Sequence, residues 1–159
     1  MASKAFNRLL WLIGLVAFGA IAGMAIYIAQ PLVNPKPVLS APLDPGCDLR
    51  LGPCTARFPE GELRFEVLPR AIPVLAPLTL RVEVRGLDPS GVEVDFSGVA
   101  MNMGFNRVSL QSAGPGQFEG EGMLPTCVRA RMDWEAKVLL QTPSGLLGAP
   151  FRFTTTRQP

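Results

Sequence analysis

Residues 127–141 read CVRARMDWEAKVLLQ, and their alternation decides the fold class. Val128, Ala130, Met132, Trp134, Ala136, Val138 and Leu140 take the even positions. Cys127, Arg129, Arg131, Asp133, Glu135 and Lys137 take the odd ones. Side chains of a strand alternate between two faces, whereas a helix with about 3.6 residues per turn scatters such a pattern around its axis. The stretch is a strand with one apolar and one polar face.

The same period extends outward in both directions. ELRFEVL (62–68) places Leu63, Phe65 and Val67 on one side. LTLRVEVR (78–85) sets Leu78, Leu80, Val82 and Val84 against Arg81, Glu83 and Arg85. VEVDF (92–96) follows with Val92, Val94 and Phe96, and PFRFTTT (150–156) adds Phe151 and Phe153. Between these runs stand LDPSG, SAGPGQ, LPTC and TPSG, rich in the residues that turns require. Seven or eight short strands separated by turns predict an all-β domain, an antiparallel β-sandwich of immunoglobulin-like type.

The N-terminus is different. LLWLIGLVAFGAIAGMAIYIA (9–29) carries no charge, and its 21 residues match the ~20 needed to cross a bilayer as a helix. Lys4 and Arg8 precede it without any acidic residue, which predicts a cytoplasmic tip over 1–8. Trp11 and Tyr27 stand near its ends, where amphipathic rings favour the membrane interface. A cleaved signal peptide has a shorter apolar run of ~7–15 residues and a small-x-small cleavage site, unlike IYIAQP. The expectation is an uncleaved transmembrane helix over 9–29, and Gly19 with Gly23 forms a GxxxG pair that lets a second helix approach. Residues 30–46, with five prolines, read as an extended spacer. Residues 47–159 then form the external domain, which in a bacterial inner membrane lies in the periplasm.

Cysteine usage agrees with an oxidising compartment. Cys47 and Cys54 bracket CDLRLGPC, a short loop suited to a disulfide, while Cys127 is left over. Pairing of Cys127 with either of the others stays open at this level.

Several chemistries are absent. The chain has no histidine, so no Ser–His or Cys–His pair and no imidazole metal site exists. No GxSxG, Walker A or dinucleotide glycine motif occurs, and no enzyme is read here. A net charge of +2 with dispersed arginines gives no nucleic-acid surface.

Sulfur remains. Met101, Met103, Met123 and Cys127 lie close in sequence, and thioether and thiolate ligands select Cu(I). In VAMNMGFNR (99–107), a strand continuing past a bulge at Gly98 puts Val99, Met101, Met103 and Phe105 on one face. The other reading is core filling, to which methionine is suited, with Asn102 and Asn106 satisfying turn backbone. Met132, among Val128, Ala130 and Trp134, is assigned to the core.

With VDFSGVAMNMGFNRVSL followed by FEGEGMLPTCVRARMDWEAKVLL, the layout of anchor and external sandwich resembles the FixH and YtkA-like group of membrane-anchored proteins. That resemblance implies an accessory role in assembly of, or copper supply to, a respiratory terminal oxidase. The missing histidine departs from copper carriers that mix histidine with methionine. The alternative is a ligand-free interaction module, or accessory subunit, docking on an inner-membrane complex.

Overall fold

The computed structural model describes residues 2–33, 36–100, 104, 106–125 and 131–156. The chain divides into two units, 1–36 and 37–159.

The first unit is one helix, α1 (Ala2–Val33). Its segment Phe6–Gln30 is long and apolar enough to cross a membrane, and none of it is buried within the chain. Twenty-five helical residues span roughly 37 Å, more than the ~30 Å hydrocarbon core. The helix thus contains the expected span 9–29 and runs beyond it at both ends.

Among the described residues the second unit holds nine strands: β1 (Leu39–Ser40), β2 (Cys54–Phe58), β3 (Gly61–Leu68), β4 (Leu78–Arg85), β5 (Gly91–Gly98), β6 (Arg107–Gly114), β7 (Gln117–Gly122), β8 (Arg131–Thr142) and β9 (Gly145–Thr156). They hydrogen-bond in the order β1-β9-β8-β5-β6-β7-β4-β3-β2. Every pairing is antiparallel except β1 with β9. The all-β class and the N-terminal helix hold.

The sheet is continuous because β6 changes partner along its length. Its residues 107–110 pair with β5, and residues 111–114 pair with β7. The curl at this point needs close approach of strands, and glycine permits it. A Cβ at Gly120 of β7 would sit 2.6 Å from Leu110 Cδ2, and one at Gly122 would meet Leu80, Val108 and Phe96. The result is one continuous, curled sheet of nine described strands.

Alternation sets the core, as expected. Leu63, Phe65 and Val67 are buried, as are Leu78, Leu80, Val82, Val84, Val92, Val94 and Phe96. Met132, Trp134, Ala136, Val138 and Leu140 line the same interior, and Trp134 Nε1–H donates to Thr155 Oγ1 at 2.9 Å. Leu139 breaks the parity and is buried too, where β8 lies beside Gly148 of β9.

Two expectations need correction, and one strand was not foreseen. Residues 37–46 belong to the β unit: Val38 N–H donates to Leu146 O and Ala41 N–H to Gly148 O, flanking β1. Residues 54–58 form β2, with a buried face of Cys54, Ala56 and Phe58. Finally, β5 stops at Gly98 with no strand continuing at Val99 and Ala100, which form a bend, and Gly104 has φ +79°. The bulge instead falls between Ser112 and Gly114 in the β6–β7 pairing.

Candidate functional site

The antiparallel order sorts the connections to two ends of the domain. Short turns (59–60, 115–116, 143–144) and residues 86–90 gather at the end where the chain enters through Pro37. The strand ends that bound the long connections 41–53, 69–77, 99–106 and 123–130 gather at the opposite end. Of the sulfur residues singled out from sequence, Met123 is described and borders this second end.

Met101, Met103 and Cys127 lie outside the described residues, as do Asn102 and Phe105. Their connections are nevertheless anchored by residues that are described. Val99 N–H donates to Asp133 O at 3.0 Å, and Phe96 N–H to Asn106 O at 2.9 Å. Asn106 Nδ2–H donates to Met123 O at 3.2 Å, joining connection 99–106 to connection 123–130. Asn106 therefore does satisfy backbone, though that of a neighbouring connection. Met123 is exposed at 52%, while Leu124 beside it is fully buried and accepts at its carbonyl from Leu75 N–H.

Arg107 opens β6 and is the residue that sequence reasoning passed over. Its guanidinium lies 3.2 Å from Asp95 and 3.8 Å from Glu93 of β5, with only 8% of the side chain exposed. The pairing Asp95↔Arg107 in the β5–β6 ladder brings opposite charges face to face. Two carboxylates on alternate positions, followed across one connection by arginine at a strand start, was the available signal.

Cys47 and Cys54 form a disulfide with Cα atoms 5.8 Å apart. Inside the loop it closes, Leu49 is fully buried and Asp48 grips Arg50. Asp48 Oδ1 accepts from the Arg50 backbone N–H, and both carboxylate oxygens accept from the guanidinium. These hydrogen bonds, against a smaller opposing effect of burial, hold the Asp48 carboxyl below its ordinary value and raise Arg50 above its own. An open cleft of about 320 Å³ runs between this loop, Val99, Asp133 and Arg152. Its carboxylates are committed: Asp133 accepts from Thr154 Oγ1–H at 2.7 Å, and Asp48 holds Arg50. Among the described residues, no three His, Cys, Asp or Glu side chains gather as a metal group.

No family model matches the chain, and no curated protein matches it. A crystal structure of an engineered protein is similar over 54% of this chain, at 20% identity and a TM-score of 0.41. The chain spans 17% of that engineered protein's length.

Proposed function

We propose that this chain is a single-pass, membrane-anchored accessory protein whose β domain, immunoglobulin-like in class, works in the periplasm. Its role on this reading is assembly of, or copper supply to, a respiratory terminal oxidase. Met101, Met103, Met123 and Cys127 are the Cu(I) ligands, and the site hands the metal on without catalysis.

The observation that supports it is the hydrogen bond from Asn106 to Met123 O. It ties the connection carrying Met101 and Met103 to the one carrying Cys127, with the Met123 side chain exposed beside the junction. Soft sulfur donors from two neighbouring connections suit a low-coordinate Cu(I) ion.

The test is Cu(I) titration of the full chain in detergent against a competing chelator. Wild type should outcompete Met101→Leu with Met103→Leu; equal affinity ends the copper reading. Purification from membranes with metal analysis of the eluate then identifies the partner complex.

A second reading is favoured by Leu51, Leu75, Val99 and Met123, all exposed at the same end. On that reading the end is a ligand-free docking surface for the membrane complex. Copper-independent co-purification, lost in Leu51→Glu with Leu75→Glu, would establish it.

A further inference from the structure

We propose that the end of the β domain at which the chain enters is itself a lipid-docking face, resting an apolar groove on the membrane interface. The inference builds on the anchor reading above and adds a contact which that reading does not require.

The groove has a volume of about 200 Å³. Val38, Leu39 and Leu147 form one wall, and Phe58, Pro59 and Leu87 form the other. Val38 is 70% exposed and Leu39 42%, although both lie at the start of a compact β unit. Large apolar side chains left in water cost free energy unless another apolar phase covers them.

Covalent length says which phase is within reach. Residues 34–36 alone separate Val33, the last residue of α1, from Pro37 at the start of the β unit. Four Cα–Cα steps extend at most ~14 Å. Val38 and Leu39 are five and six steps from Val33, at most ~20 Å, so a helix held in a bilayer through Phe6–Gln30 leaves both within reach of the headgroup layer. A soluble partner has no comparable claim on the groove.

The charges around it are mixed. Glu60 sits on the rim, Asp88 follows Leu87, and Lys36 precedes Val38. No basic cluster is present to require anionic lipid, so burial of apolar surface is the attraction. Zwitterionic lipid should suffice.

The test uses the full chain in phosphatidylcholine vesicles with brominated acyl chains, which quench tryptophan emission. Trp11→Phe removes the exposed helix tryptophan and leaves buried Trp134 as baseline. Ser144→Trp then reports from an exposed position on the rim of the groove, next to Gly145, which packs against Val38. Leu51→Trp is the control at the opposite end, beyond strands such as the eight-residue β3, or roughly 23 Å.

Ser144→Trp should lose emission on brominated lipid while Leu51→Trp keeps it. The loss should survive a flexible Gly/Ser insertion after Lys36 and vanish with Val38→Glu. Absence of quenching at Ser144→Trp, or its disappearance when the tether is lengthened, overturns the docking face while the anchor stands. A chain that alkaline carbonate strips from the vesicles overturns the anchor reading, and this inference with it.

Discussion

Phe65 of β3 and Phe151 of β9 meet across the core, ring centroids 5.4 Å apart and planes tilted by 39°. Their strands stand second from opposite ends of the strand order, so this contact closes the curl with side chains where no hydrogen-bond ladder does. Phe65→Ala should cost about 3–5 kcal/mol, because it removes a fully buried ring and leaves a cavity between the halves. Phe65→Leu should cost distinctly less. Thermal denaturation followed by Trp134 fluorescence measures both, and equal midpoints for the two variants would refute the closing role.

Trp134 depends on Thr155 in a different way. Its indole N–H has one hydroxyl acceptor in a buried setting. Thr155→Val keeps shape and removes that acceptor, so stability should fall by about 1–3 kcal/mol. Thr155→Ser retains the hydroxyl and should recover most of the loss.

The disulfide closes a loop whose own core residue is Leu49. Cys47→Ala with Cys54→Ala should lower stability by roughly 2–3 kcal/mol on chain-entropy grounds, without unfolding the domain. Leu49→Ala, by comparison, opens a cavity and should cost about 2–5 kcal/mol with the disulfide intact. A shift in the denaturation midpoint checks each.

Asp48 supplies a pH signature. Its folded carboxyl lies below the ordinary value of 3.8 because Arg50 hydrogen-bonds the charged form. A lowered folded value means that the pair's contribution is present above the ordinary value and is lost as pH falls through the folded one. Asp48→Asn should flatten the stability–pH curve below about pH 4 and leave its slope at neutral pH unchanged. The pair is partly exposed, so the effect should be small and weaken with salt. A curve unchanged at low pH would argue against the pairing in solution.

Connection 69–77 holds two left-handed residues, Ile72 at φ +46° and Leu75 at φ +56°. Side chains rarely adopt that region, and each occurrence costs about 1–2 kcal/mol. Leu75 is 60% exposed, so Leu75→Gly relieves strain at little loss of burial and should leave stability unchanged or raise it by up to about 1 kcal/mol. Ile72 is buried, so Ile72→Gly should destabilise despite the same relief. A lowered midpoint for Ile72→Gly, and an unchanged or raised one for Leu75→Gly, is the expected result of one melting experiment.

Much of the fold was legible because alternation is a local signal. Leu78 through Val84 and Met132 through Leu140 could be assigned to the core from neighbours alone. β1 could not: two residues after a proline-rich run carry no period, and they become a strand only because β9 lies beside them. β2 hid behind the disulfide loop, although Ala56 and Phe58 do alternate with Thr55 and Arg57. The partner change along β6 was invisible, since no residue pattern tells a strand that its neighbour will switch midway. At the candidate site, sulfur drew attention to Met123, while the Arg107 clasp needed the register of β5 against β6 to appear.

The parallel pairing of β1 with β9 also sets an order of events. Leu39 waits for Leu147, and Ser40 for Gly148, so the first strand made cannot bond until the last hairpin has emerged. Local hairpins such as β2–β3 and β8–β9 can zip as they appear, whereas this pairing carries the largest loop-closure cost in the sheet. The segment nearest the helix is therefore the last to lock. A nascent chain truncated before Leu146 would hold Val38 and Leu39 unpaired, open to chaperone or protease until synthesis is complete.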